Sequence, residues 1–256
     1  MEDVLSPVKP YLFHGLEVGE ITSSQQYQTA CPFCEKTNKF TISLVKENAG
    51  VFNCFSCGSS GNTYSFLAQL HKESKKATSK ESLVEFAKFK KIPSAILNLH
   101  GICKSILTNK WLVPIWGRTK SIVNLLSYEQ TTNILRGTTQ LKQSLYMLES
   151  LSNDHSRPIL LVEGHWDALV LDFILHRIQK KTEYDILAVP GANSFQPNWL
   201  EYLDDREVYL IFDHPEIMKK ILRGGYCAQF ASILACCPLI LRVKMCAVTG
   251  PPCVRR

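Results

Sequence analysis

Four cysteines in two Cys-x-x-Cys pairs are the residues whose spacing speaks most directly of chemistry. Cys31-Pro32-Phe33-Cys34 and Cys54-Phe55-Ser56-Cys57 are separated by 19 residues. Each pair suits a tight turn that aims two sulfurs at one ion. Two such turns at this separation make the tetrahedral four-thiolate site that zinc prefers. Two disulfides, or four unconnected thiols, are the other readings of the same residues. With all four positions taken by protein, the expected zinc is structural, because nothing is left open for catalysis. Gly58 and Gly61 follow the second pair and give the backbone the freedom such a turn needs.

A second group of residues carries oxygen chemistry. Ile159-Leu160-Leu161-Val162 reads as a short strand buried on both faces, and it runs straight into Glu163-Gly164-His165-Trp166-Asp167. An apolar-rich stretch from Trp166 to about Ile178 then suits a helix. A carboxylate between such a strand and such a helix sits at the C-terminal edge of a sheet, where open α/β sheets bind ligands and metals. The plainer reading of Glu163 is an acid favoured by the dipole at a helix N-terminus. Downstream, Asp185-Ile186-Leu187-Ala188-Val189 is a second strand, leading into Pro190-Gly191, and a short helical segment near Asn198–Leu203 follows. Glu207-Val208-Tyr209-Leu210-Ile211-Phe212-Asp213 is a third strand, again ending in an acid. Alternating strands and helices imply right-handed crossovers and a parallel sheet. Glu163 and Asp213 then project from one edge, as a pair of carboxylates for magnesium would.

The rest of the chain supplies the scaffold. Lys39–Leu44 and Gly50–Asn53 alternate apolar with polar, as strands of a small sheet between the cysteine pairs. Phe40, Phe52 and Phe55, with Lys36, Lys39 and Lys46, are the aromatic and basic residues through which such a ribbon could contact single-stranded nucleic acid. Aromatics of a small zinc ribbon serve equally well as its core. Gly61-Asn62-Thr63 opens a helix expected to end near His71, and the lysine-rich residues 72–92 read as a linker followed by a short amphipathic helix. Pro93 to Leu99 reads as another short helix, stopped by Gly101. Trp111–Ile115 and Ser121–Leu126 are strands around a Gly117-Arg118-Thr119-Lys120 turn. Leu141–Leu151 reads as a helix.

Composition bounds the remaining possibilities. The chain has 256 residues, of which 45% are hydrophobic and 20% charged, which suits a globular protein with one large or two small domains. The N-terminus lacks a signal pattern, and the longest apolar stretch, Phe230 to Leu241, is too short to span a bilayer; a cytoplasmic protein without membrane contact is expected. The net charge of +6 is not evenly spread. Seven of the 29 basic side chains lie in residues 217–256, which hold no acid, leaving 22 basic against 23 acidic elsewhere. Global charge therefore does not argue for nucleic acid. Five of the ten cysteines also crowd this tail.

The motifs together resemble the bacterial DnaG-type DNA primases and their phage relatives. Cys31-Pro32-Phe33-Cys34, Cys54-Phe55-Ser56-Cys57-Gly58-Ser59-Ser60-Gly61-Asn62 and Phe66-Leu67 look like the primase zinc-binding domain. Many members have His where this chain has Cys34, an equivalent zinc ligand. Leu160–Asp167 matches the first motif of the family's Toprim fold, and Val189-Pro190-Gly191 falls at its glycine-bearing loop. Ser94–Gly101 and Leu112–Ile115 match the start of the RNA polymerase subdomain less specifically. The resemblance covers about residues 28 to 214. It implies an α/β fold: an N-terminal zinc ribbon built on a small β-sheet, then a mixed α/β primase core with a Toprim-like parallel sheet. The implied domains are a ribbon at 1–71, the lysine-rich segment at 72–92, the N-terminal part of the core at 93–156, a Toprim-like subdomain at 157–216 and a basic, cysteine-rich tail at 217–256.

The resemblance further implies synthesis of short RNA primers on a single-stranded DNA template from ribonucleoside triphosphates, with a replicative helicase as partner within a primosome. Glu163, Asp167 and Asp213 would be the catalytic acids, with Glu163 and Asp213 holding magnesium or manganese. Lys39, Phe40, Lys46 and Phe55 would contact the template. One motif departs from the family. Its second Toprim motif is Asp-x-Asp, whereas this chain reads Asp213-His214-Pro215-Glu216, and proline binds no metal. The motif breaks where acids vanish and cysteines cluster, which suggests a frame shift or truncation near residues 213–216; a divergent tail that contacts nucleic acid is the competing account. Two readings from other classes remain: a non-catalytic zinc-ribbon and Toprim DNA-binding protein of the RecR type, and a Toprim nuclease. RecR-type proteins have cysteine pairs closer together and lack the Cys-Pro-Phe-Cys signature.

Overall fold

The computed structural model describes residues 4–191 and 194–212, together with the backbone of two strands at 232–233 and 240–244. It is a mixed α/β protein that divides into two compact units, one of Met1–Ile115 with Ser121–Lys142, the other of Trp116–Lys120 with Gln143–Arg256.

The first unit begins with a short helix, α1 (Lys9–Phe13), followed by five antiparallel strands in sequence order: β1 (Glu20–Ile21), β2 (Gln26–Thr29), β3 (Phe40–Ser43), β4 (Phe52–Cys54) and β5 (Ser60–Gly61). The core beneath this sheet is aromatic. Phe40 stacks on Phe52 with ring centroids 5.1 Å apart, and Phe66 lies 4.6 Å from Tyr11, whose hydroxyl donates to the Gly50 carbonyl at 2.5 Å. Burial pushes the Tyr11 phenol up to about 12, so it stays a donor.

Helix α2 (Thr63–Ala77) starts at Asn62, whose side chain accepts from the Ser65 amide and caps it. Residues 66, 67, 70, 71 and 74 are buried, the spacing of one helix face. The helix continues well past the expected end at His71. Its lysines at 72, 75 and 76 leave that face intact, and Lys76 pairs with Glu73 at 3.0 Å. Charge alone therefore does not mark a linker.

Helices α3 (Lys80–Lys90) and α4 (Ser94–Leu99) pack on each other. A second sheet follows, with β6 (Cys103–Lys104), β7 (Trp111–Trp116), β8 (Ile122–Glu129) and β9 (Ile134–Arg136) in sequence order, and α2 lies on β6 and β8. The Lys120 backbone amide donates to the Gly117 carbonyl at 2.9 Å, closing the turn expected between β7 and β8.

The second unit holds the parallel sheet. Strands β10 (Ile159–Val162), β11 (Asp185–Ala188) and β12 (Glu207–Ile211) lie in the order β11-β10-β12, with β10 parallel to both neighbours. Helix α5 (His165–Arg177) joins β10 to β11, and a 3₁₀ segment, Pro197–Tyr202, precedes β12. Strands β13 (Ser232–Ile233) and β14 (Ile240–Lys244) extend the sheet beyond β12, with β14 antiparallel to β12. Leu161, Leu187 and Leu210 face one side of the sheet and pack with Trp199 and Leu203.

Residues 141–151 do not form the expected helix. Tyr146 instead makes a β-bridge to Ala188 on the edge strand β11, with N–H···O distances of 2.9 and 3.2 Å, and only Leu148–Ser150 coil into a 3₁₀ turn. Leu145, Leu148 and Leu151 enter the core at intervals of three, which imitates a helical stripe. The open edge of β11 and the left-handed backbone of Met147 (φ 64°) decide against it.

Candidate metal centre

The two cysteine pairs adopt the same turn. In the first, the Glu35 amide donates to the Cys31 carbonyl at 2.9 Å and the Cys31 amide to the Lys36 carbonyl at 3.1 Å. In the second, the Gly58 amide donates to Cys54 at 3.0 Å and the Cys54 amide to Ser59 at 2.8 Å. The residue after each pair is left-handed, Glu35 at φ 59° and Gly58 at φ 74°. The glycine is there for backbone conformation alone, since a Cβ would meet nothing within 4 Å.

These turns bring the Sγ atoms of Cys31, Cys34, Cys54 and Cys57 within 4.8 Å of one another. Cys31 and Cys57 are 3.8 Å apart, Cys34 and Cys54 3.7 Å. A tetrahedron with zinc–sulfur bonds of about 2.3 Å has edges of about 3.8 Å. The donor set therefore fits zinc without rearrangement. Backbone amides of Phe33 and Cys57 point at the sulfurs of Cys31 and Cys54 at 3.4 and 3.5 Å, as they would to support thiolates. Among bare thiols the protons are unequally held. Burial pushes the Cys31 thiol up, whereas at Cys57 the effect of burial is outweighed by hydrogen bonds from Ser59, which bring it down to about 6. Among the described residues, these four are the one cluster of three or more His, Cys, Asp or Glu side chains that converges on a common point.

The face of the ribbon opposite its aromatic core is polar. Cross-strand register places Gln28 beside Thr41 and Thr41 beside Asn53, with Gln26 beside Ser43. These side chains line an open depression of 720 Å³ together with Phe55. Phe55 is 72% exposed, and Lys39 and Lys46 are also on the surface. Phe40, expected as a nucleic-acid contact, is 0% exposed and belongs to the core; Phe52 is buried with it. Their strand positions turn them inward, so neither offers a ring face to a base. The polar row was not singled out from sequence, although its signal is present as the alternate positions of Gln-Tyr-Gln-Thr and Phe-Thr-Ile-Ser.

In the second unit, Glu163 follows β10 directly and stands at the C-terminal edge of the parallel sheet. Its Oε2 is buried and has no hydrogen-bond partner among the described residues. Asp167 lies in the first turn of α5 and is exposed, with Oδ2 only 2.7 Å from where a Cβ on Gly164 would be. Any larger residue at 164 would displace that carboxylate. His165 between them is buried against the Tyr146 ring, 5.0 Å away, and burial lowers its pKa to about 4. It is neutral at pH 7 and brings no positive charge to this edge. Asp213, the expected partner of Glu163, lies outside the described residues, as do Pro215 and most of the basic tail.

The residues missed by sequence reading are buried ions. Asp172 on the inner face of α5 pairs with Lys181 and, at 3.5 Å, with His176. Arg157, Asp185 and Arg206 form a second group at the opposite end of the sheet from Glu163.

Residues 18–96 match the CHC2 zinc finger, the DnaG-type zinc ribbon. No curated protein matches the chain. Among solved structures, the zinc-binding and RNA polymerase domains of the Aquifex aeolicus primase align at 15% identity, covering 87% of this chain and 76% of that one, with a TM-score of 0.46. The primase fragment of the bacteriophage T7 primase-helicase aligns at 16% identity, covering 77% and 83%, with a TM-score of 0.43. The E. coli primase catalytic core aligns at 10% identity, covering 62% and 76%, with a TM-score of 0.42. No helix among the described residues is long and apolar enough to cross a membrane. The four convergent thiolates occupy the two knuckles of residues 18–96, the stretch that matches the CHC2 zinc finger.

Proposed function

We propose that the chain is a primase-type protein that engages single-stranded DNA and joins ribonucleoside triphosphates into short RNA primers. The observation that carries this reading is a DnaG-type four-thiolate ribbon followed, in one chain, by a parallel sheet whose first strand runs into Glu163, with a buried oxygen that has no hydrogen-bond partner among the described residues. On the ribbon, the Gln28–Thr41–Asn53 row offers donors and acceptors to base edges, Phe55 offers a ring for stacking, and Lys39 and Lys46 offer charge to phosphates. At the sheet edge, Glu163 would hold magnesium or manganese, and Asp167 adds a second carboxylate within the same turn. A bound divalent ion supplies the positive charge that neutralises a triphosphate and favours ionisation of an attacking hydroxyl. Neutral His165 leaves that edge anionic, which suits a cation. A replicative helicase would be the partner, and the cytoplasm the compartment.

A second reading is favoured by one specific residue. Pro215 stands where the resembled family has its second motif aspartate, so a chain that binds template without synthesising primer is the alternative. A template-directed synthesis assay with magnesium or manganese separates the two. Oligoribonucleotides that disappear with Glu163→Gln support the enzyme. Template binding with no product in any metal supports the non-catalytic reading.

A further inference from the structure

Helix α3 turns Glu85, Phe86 and Phe89 to one side, the spacing of a single helix face. This face meets the end of the second sheet across a cleft of 490 Å³, within the roughly 300–1,000 Å³ of small-molecule sites. The cleft has an aromatic wall. Phe86 and Trp111 stack with centroids 4.0 Å apart and planes 10° apart, and both are buried. Phe89 continues the arrangement, 6.4 Å from Phe86 and 17° from its plane, yet remains 47% exposed. Three nearly parallel rings, the outermost open to solvent, form a platform for another flat ring.

The polar groups around this platform are sorted by charge. Lys104 and Lys110 come from the β6–β7 end, with Lys104 paired to Trp111 in the ladder. Glu129 and Gln130 come from the end of β8, with Glu129 held by the Thr132 hydroxyl at 3.0 Å. Because β7 lies between β6 and β8, the lysines and the acceptor pair flank the rings on opposite sides. Glu85, on the helix, would repel a phosphate and so directs one to the lysine side.

We propose that this cleft is a nucleotide site distinct from both the zinc ribbon and the Glu163 edge. A base stacks on Phe89 beside the Phe86–Trp111 pair, and its phosphate meets Lys104 and Lys110. Its exocyclic amino group donates to Glu129 or to the side-chain oxygen of Gln130. Cytosine, adenine and guanine carry such a group; uracil and thymine present a carbonyl instead, which a carboxylate repels. The site therefore prefers amino-bearing bases, whether in a free nucleotide or in a single strand.

The test uses the full zinc-loaded chain. Tryptophan fluorescence is followed during titration with cytidine and uridine monophosphates, and anisotropy with labelled oligodeoxycytidylate and oligothymidylate. Cytidine is expected to bind tighter than uridine, or oligodeoxycytidylate tighter than oligothymidylate; the first pair identifies a free nucleotide, the second alone a strand. Phe89→Ala should weaken binding roughly tenfold, Phe89→Tyr should restore it, and Glu129→Gln should narrow the base preference. Equal binding of both bases, or binding unchanged by Phe89→Ala, overturns the assignment. Primer synthesis with such unchanged binding sinks this site and leaves the primase reading intact. Phe89-dependent nucleotide binding in a chain that makes no primer does the reverse.

Discussion

Arg206 donates through Nη2 to Oδ2 of Asp185 at 2.5 Å, and both side chains are 2% exposed. Arg157 reaches the other carboxylate oxygen at 3.1 Å. The Arg206 guanidinium also donates to the carbonyls of Ser152, Asp154 and Arg157 at 3.2, 3.1 and 2.7 Å. These groups sit where β10, β11 and β12 begin, whereas Glu163 sits where β10 ends. One edge of the parallel sheet thus holds compensated buried charge, and the other a buried carboxylate oxygen with no hydrogen-bond partner among the described residues.

Asp185→Ala should cost about 3–5 kcal/mol, because it leaves Arg206 buried without its anion. Urea unfolding measures the loss, and zinc content should stay at the wild-type level, since the ribbon belongs to the other unit. A loss under about 1 kcal/mol would mean that the carbonyl bonds alone satisfy Arg206.

Cys54→Ser should reduce bound zinc well below one ion per chain and unfold the ribbon. Metal binding and folding are one equilibrium in such modules, with apparent energies of about 10–16 kcal/mol in isolated fingers. Elemental analysis with circular dichroism checks both parts. Retention of one tight zinc would assign the ion elsewhere.

Acid should destabilise the first unit through His14. This ring is buried, shares a hydrogen bond through Nε2 with the Thr138 hydroxyl at 2.9 Å, and has no partner at Nδ1 among the described residues. Burial, reinforced by Lys110, lowers its pKa to about 3. The unfolded ring takes up a proton near pH 6.5, so between about 6.5 and 3 the unfolded chain binds one proton more. The stabilisation is complete above 6.5 and is lost as pH falls, at about 1.4 kcal/mol per pH unit. His14→Gln should make the pH dependence of unfolding shallower by one proton; an unaltered slope would show that His14 does not titrate there.

Two phenylalanines of the ribbon should behave oppositely. Phe40→Ala should cost about 3–5 kcal/mol by emptying the core. Phe55→Ala should change stability by under about 0.5 kcal/mol while weakening single-strand binding several-fold. Unfolding and anisotropy measurements on the pair distinguish a packing role from a contact role.

Several elements were legible because their signals are local. The cysteine spacing announced the ribbon and its zinc site, and the buried runs at Ile159, Asp185 and Glu207 announced three parallel strands. The segment around Leu145, Leu148 and Leu151 was misread as a helix, since a spacing of three satisfies both a helix and an irregular chain that dips repeatedly into a core. Helix α2 was read short because its lysines conceal an unbroken buried face.

What the sequence by itself determined is the identity and local order of the chemistry: four thiols in two turns, and an acid between a strand and a helix. Only the tertiary structure decided which side chains are spent on packing. Phe40 and Phe55 are the same residue type in the same ribbon; a strand position turns Phe40 into the core, and the turn of the second cysteine pair leaves Phe55 on the surface. Asp185 and Glu163 are both carboxylates at strand ends, and distant arginines neutralise the first while no hydrogen-bond partner among the described residues reaches the Oε2 of the second. Burial and charge compensation depend on residues far apart in the chain, and no local pattern of residue types encodes them.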